Sequence, residues 1–354
     1  MNTPTSKFLI YLASTIERRS AARAALRRSL TRPPGEDAET FAIVERFVGA
    51  GRALDDPWRL ALYTGAGLYA DAPIAGAQPI AYAAGQLAKT LHGNSVEKRF
   101  LTALQANPEN LSIHIIQLHR LLKAHELAYD YAALIDDLRV LLSHNTSDVQ
   151  RQTCRQRWGQ AFYSALYPEN ERQLDPRALT VFLKDLNTAG HEATRAVLAR
   201  SLTFDPGADP ATFGLIEPIV SASMHPRDAR RQAAYLAAGL FAWHPKYQEN
   251  QTLAKALNRY CLAQDGAADG VERQINGVLA APHDAVPDHL RRLVARLRGD
   301  NTGFDPALLQ ADLVVWLSPF TSLKRLDIIR QRWANDFFQQ NINDNNLSQQ
   351  AEGA

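Results

Sequence analysis

The side chains of this 354-residue chain best suited to bind a ligand are arginines at helical spacing. Arg23 and Arg27 stand one helical turn apart with Arg28 beside them, and Arg195 and Arg200 hold matching places later in the chain. Arg120 falls about 200° around its helix from Leu118, hence outward, with Lys123 nearby. Its later equivalent Arg292 is joined by Arg296, opposite Leu290 and Leu297. Lys98 and Arg99 answer Arg273 and Gln274, and Arg157 answers Arg332. A guanidinium is a planar fork of donors that matches phosphate oxygens, so these positions are the candidate nucleic-acid contacts. A solvated helix face explains any single one of them equally well; their recurrence favours function.

Other chemistry is poorly represented. There is no Gly-rich phosphate loop, no His-x-x-x-His pair, no close Cys pair and no nucleophile elbow. His114, His119 and His125 are spaced by five and six residues, which scatters them over different helix faces and argues against a metal site. Cys154 and Cys261 lie at non-equivalent places and predict no disulfide. The expectation is a non-catalytic protein without cofactor, metal or small-molecule substrate. With 39 Lys+Arg against 37 Asp+Glu, a polyanion must be held by local patches rather than by net charge. No apolar run reaches transmembrane length and the N-terminus lacks a signal-peptide pattern, so a cytoplasmic protein without membrane contact is expected.

The elements that position these arginines come in duplicate. RAALRRSLTRPPGEDAETFAIVERFV (23–48) aligns without a gap to RAVLARSLTFDPGADPATFGLIEPIV (195–220), with about half the positions identical. The match continues through WRLALYTGAGLYADAP and RRQAAYLAAGLFAWHP, and ends with RQRWGQAFY (155–163) against RQRWANDFF (330–338). So long a period makes each copy a self-contained domain rather than a solenoid turn. Apolar residues recur at helical spacing, as in Leu111, Ile115, Leu118 and Leu122, and no strand alternation is visible. The fold class is therefore all-α, two tandem homologous helical-bundle domains of about six helices each, judged from breakers such as RPPGED and WHPKY. The boundaries read 1–168 for the first domain, 169–177 for a linker, 178–340 for the second domain and 341–354 for a disordered tail. Trp158 and Trp333 share an apolar helix face with Phe162 and Phe337, which predicts core packing, with base stacking as the alternative. Arg155 and Arg330 lie on that face and are expected to snorkel or to pair with a carboxylate, whereas Arg157 and Arg332 point away.

Each copy resembles the CasB family, the small subunit of the type I-E CRISPR Cascade complex. FLIYL, RAALRRSL, SVEKRFLTALQA, QLHRLLKAHELAYDYAALIDDL and RQRWGQAFY carry the likeness, in the family's order and over nearly the whole of each copy. The resemblance implies a helical, non-enzymatic subunit that packs along the backbone and large subunits of Cascade. It also implies contact with CRISPR RNA and target DNA, including the displaced single strand. Two small subunits fused on one chain depart from the family's usual separate copies. The competing reading is a protein-only adaptor whose arginine faces bind acidic partners.

Overall fold

A computed structural model describes residues 3–338 apart from 145, 169–177, 189, 222 and 265–267. The chain forms two compact units, Met1–Glu171 and Arg172–Ala354. The expected linker and tail lie outside the described residues.

The first unit contains α1 (Pro4–Arg18), α2 (Ser20–Ser29), α3 (Phe41–Val48), α4 (Pro57–Asp71), α5 (Ile80–Leu91), α6 (Asn94–Gln105), α7 (Pro108–Ala124), α8 (Tyr131–Leu141) and α9 (Asp148–Leu166). The second contains α10 (Ala178–Asp185), α11 (Glu192–Ser201), α12 (Phe213–Ile216), α13 (Ala229–Trp243), α14 (Leu253–Ala263), α15 (Ala268–Ala280), α16 (Val286–Leu297), α17 (Pro306–Trp316) and α18 (Leu323–Phe338). Among the described residues each unit thus has nine α-helices rather than about six. The extra breaks carry weak signals: Arg19 turns extended between α1 and α2 without Gly or Pro, and His92 ends α5 in the left-handed conformation. The described residues form no strand, only two isolated bridges.

The helices start where the duplicated sequence supplies caps. Asp56 and Asp228 accept backbone N–H groups at the starts of α4 and α13, and Asp130 and Asp305 do so for α8 and α17. Helices α4 and α13 are buried over most of their length and form the centre of each unit. The former packs on α2, α3 and α8, and the latter on α11, α16 and α17. One divergence is local: where α3 has Arg46, the second copy has Pro218, whose missing N–H breaks the helix, and α12 is only four residues long.

Each unit also brings the segment after its central helix against the segment entering α8 or α17, through a parallel bridge, Ala75 with Tyr129 and Tyr247 with Phe304. The approach is so close that one side must lack a Cβ. In the first unit it is Gly76, where a Cβ would lie 2.7 Å from the Ala128 carbonyl carbon. In the second it is Gly303 on the opposite segment, where a Cβ would lie 2.6 Å from the Lys246 carbonyl oxygen. A second pair of solutions stands where α5 crosses α9 and α14 crosses α18. A Cβ on Gly85 would overlap the Phe162 carbonyl, whereas Asn258 donates its amide to the matching Phe337 carbonyl.

Candidate nucleic-acid interface

In the first unit, α2, the end of α4 and α7 gather five of the candidate cations. Arg23 donates to the Ala70 carbonyl at 3.0 Å, binding one of the unpaired C-terminal carbonyls of α4. Asp71, the last residue of α4, accepts from Arg27 at 3.1 Å, from Lys123 at 2.8 Å and from His119 at 3.3 Å. Burial works to raise the Asp71 carboxyl, but Lys123 and His119 more than offset it, and its pKa lies below the usual carboxylate value. Arg28 pairs with the exposed Glu39. Arg120 faces Arg27, Arg28 and Asp71 across a shallow cleft of about 410 Å³. The side chains of Arg27 and Arg28 remain more than half exposed. The Arg28–Glu39 pair is open to water on both sides and contributes about 0–1 kcal/mol, so a phosphate can displace Glu39 at little cost, whereas Asp71 is largely covered.

His119 is a satisfied core residue rather than a ligand. It is buried, its Nδ1 lies 2.8 Å from the Tyr129 hydroxyl, and burial outweighs Asp71 to push its pKa below the ordinary value. Among the described residues there is no group of three His, Cys, Asp or Glu able to hold a metal ion. Cys154 and Cys261 are both free thiols, and burial followed by the nearby Asp137 pushes Cys154 up to about 12. No described helix is long and apolar enough to cross a membrane.

The second unit is arranged differently. Its counterparts of Arg27, Asp71, His119 and Lys123 are Ala199, Trp243, Arg291 and Ala295, so the carboxylate hub is gone. Arg195 turns back to the Leu186 and Thr188 carbonyls at the end of α10 and to Glu192, and is largely covered. Arg200 is exposed, and the place of Glu39 is taken by Ala211. On α16, Arg292 and Arg296 lie one turn apart, and Arg296 reaches across to Gln274 on α15 at 3.4 Å, next to the exposed Arg273. The cations of this unit therefore gather mainly on α15 and α16, the counterparts of α6 and α7, whereas those of the first unit gather on α2 and α7. Lys98 and Arg99 are exposed on α6, and no described contact joins them to the Asp71 cluster.

Arg157 and Arg332 are partly exposed as expected, yet each is tied to an aspartate that the sequence reading missed, largely covered in the first unit and buried in the second. Arg157 donates to Asp137, which also accepts the Trp158 indole N–H at 2.6 Å. Arg332 donates to Asp312, which accepts from Trp333 at 2.7 Å. Burial raises both carboxyls, with the arginine and the indole partly offsetting it. Trp158 and Trp333 are buried, as core packing requires. Arg155 and Arg330 reach the carbonyls of Ala106 and Ala281 rather than chiefly a carboxylate, at 3.1 and 3.5 Å, while Arg330 also lies 3.7 Å from Asp327.

The duplication agrees with comparisons to known proteins. The sequence profile of the CRISPR-associated protein Cse2 matches twice, over residues 22–163 and 194–338. The chain belongs to the Cse2 family. A Cse2 protein of Thermus thermophilus is 35% identical over 147 residues, covering 41% of this chain and 79% of the relative. The crystal structure of CasB from Thermus thermophilus has 32% identity and a TM-score of 0.40, covering 46% of this chain and 99% of CasB. A second crystal structure of a Cse2-family protein from that organism has 33% identity and a TM-score of 0.39 over the same shares. With the Cse2 pattern present twice in tandem, the chain is a double Cse2.

Proposed function

We propose that this double Cse2 is a fused pair of small subunits in a type I-E-like Cascade, non-catalytic and cytoplasmic. Its basic surfaces hold target DNA and the displaced strand while it packs along the backbone and large subunits beside the CRISPR RNA. The observation that carries this reading is the recurrence of exposed arginine at equivalent places, Arg28 with Arg200 and Arg120 with Arg292, on a family-typical core. Phosphate contacts of this kind need no base recognition, and the candidate residues include no groove-reading set. The domain limits of 1–168 and 178–340, joined by 169–177, are part of the proposal.

The test is retention of target DNA by the assembled complex, as a function of salt. Alanine substitution of Arg28, Arg120, Arg200 and Arg292 together is expected to weaken retention and to flatten the dependence of log affinity on log salt by roughly one per lost contact. Unaltered affinity and slope would leave a helical protein-protein adaptor as the better reading.

A further inference from the structure

The two units share a cleft at matching places. In the first it lies where the start of α4 meets the end of α8, has a volume of about 830 Å³, and is lined by Asp56, Trp58, Arg139, Val140 and Ser143 among others. In the second it lies between α13 and α17, has about 480 Å³, and is lined at corresponding positions by Asp228, Arg230, Val314, Val315 and Ser318. The second cleft has a different rim. Phe320, which lines it, is 94% exposed, and the nearby Leu323 is 75% exposed. The first copy has Asn145 and Asp148 at those positions in sequence. Lys324 and Arg325 likewise replace Val149 and Gln150.

The turn that carries the exposed ring is tied down by hydrogen bonds. Thr321 donates its hydroxyl to the Val315 carbonyl at 2.8 Å, and its N–H to the Ser318 carbonyl at 3.2 Å. The Phe320 N–H donates to the Ser318 hydroxyl at 3.3 Å, and the Ser322 carbonyl accepts the Arg325 N–H at 3.0 Å to start α18. Lys324 and Arg325 are exposed and form no side-chain ion pair among the described residues, whereas Arg230 is already held by Asp228. An aromatic ring in water on a braced turn, beside a cavity walled in part by Val314 and Val315 and two cations without ion pairs, is an arrangement without benefit to the isolated unit.

We propose that this cleft of the second unit docks a segment of a protein partner that carries an apolar anchor side chain flanked by carboxylates. Such an anchor fills the pocket walled by Val314, Val315 and Phe320, and the carboxylates meet Lys324 and Arg325 on the rim. Interfaces concentrate their affinity in this way, with an apolar centre inside a charged edge. A nucleic acid is a poorer fit, because stacking platforms offer successive aromatic faces to bases, and here Leu323 and the valines present aliphatic surface around one ring. Since the first unit has Asn145 and Asp148 in place of Phe320 and Leu323 and neither of the two cations, docking is confined to the second unit.

The test uses the full chain and three short fluorescent peptides. One has a Leu-Phe centre flanked by Glu and Asp, one has the same centre flanked by Lys, and one is acidic with Ser at the centre. The acidic apolar peptide is expected to bind most tightly, and Phe320→Ser with Leu323→Ser to weaken it by about tenfold or more. Lys324→Glu with Arg325→Glu is expected to shift preference to the Lys-flanked peptide, and Arg139→Ala in the first cleft to change nothing. The substituted side chains in the second unit are exposed, so unchanged thermal melting serves as the folding control. Equal binding of the three peptides, or indifference to the second-unit substitutions, overturns the proposal. So does a loss of single-stranded oligonucleotide binding in those variants with peptide binding intact, which makes the cleft a nucleic-acid site.

Discussion

Trp158 donates its indole N–H to Asp137, and Trp333 repeats the bond to Asp312 in the second unit. Each aspartate also receives an arginine, so its removal leaves a buried indole N–H and a guanidinium without their acceptor. Asp137→Ala and Asp312→Ala are each expected to cost about 1–3 kcal/mol. Trp158→Ala and Trp333→Ala are expected to cost more, about 3–5 kcal/mol, through the cavity they open. Denaturant unfolding measures both. A tryptophan variant of native stability with weakened DNA binding would restore the stacking alternative.

Acid should destabilise the first unit through His119. Its folded pKa is depressed below the ordinary 6.5, so its contribution is complete above that pH and is lost as pH falls through the window toward the folded value. Asp71 opposes burial by raising the His119 pKa. Asp71→Asn should therefore lower the folded pKa further and steepen the fall of melting temperature below about pH 6.5, while His119→Gln should flatten it. Identical pH profiles for wild type and Asp71→Asn would refute this coupling.

Asp71 also competes with phosphate for Arg27 and Lys123. Neutralising it should raise the affinity of the double Cse2 for single-stranded DNA at low salt by several-fold, with the gain fading as salt screens the cluster. Trp243 occupies the matching place in the second unit, where no such gain is available. Filter binding across a salt series measures the effect; an unchanged or lowered affinity in Asp71→Asn would count against a phosphate site on α2 and α7.

The crossing of α5 and α9 and its counterpart in the second unit are each expected to be sensitive to alanine, for different reasons. Gly85→Ala sets a methyl against the Phe162 carbonyl and the Ala165 side chain, an overpacking expected to cost about 1–3 kcal/mol. At the matching place Asn258→Ala shortens the side chain yet is also expected to destabilise, by about 1–3 kcal/mol, because the Phe337 carbonyl loses its amide donor. Unfolding curves for both variants decide it, and a neutral Asn258→Ala would show that the bond contributes nothing.

The helical class and the duplication were legible because apolar period, caps and breakers repeat almost unshifted between the copies. Helix number was less so, since Arg19 breaks a helix without Gly or Pro, although at His92 a signal existed in the Gly93-Asn94 that follows it. Among the candidate site residues, the outward phase of Arg120, Arg292 and Arg296 was readable from the helical period alone. The partners were hidden, because an ion pair between α2 and α4 joins residues distant in sequence, as Arg27 and Asp71 are. A signal for Asp71 did exist: a carboxylate on the last residue of a helix faces the negative end of the dipole, and its presence implies nearby cations. Asp137 and Asp312, matched in both copies, were open to the same comparison that singled out the arginines.

The reciprocal glycines favour pairing within each half over pairing between halves. A tandem of homologous sequences invites exchange, in which a segment of one half completes the other. If the 245–249 segment were to lie against 127–131, Gln248 would meet Ala128 and neither side would supply the missing Cβ that Gly76 or Gly303 supplies at home. The converse pairing of Gly76 with Gly303 would leave a gap, and a full exchange requires both pairings at once. By placing the same vacancy on opposite partners, the copies discriminate against trading segments, so duplication and correct assembly are compatible in one chain.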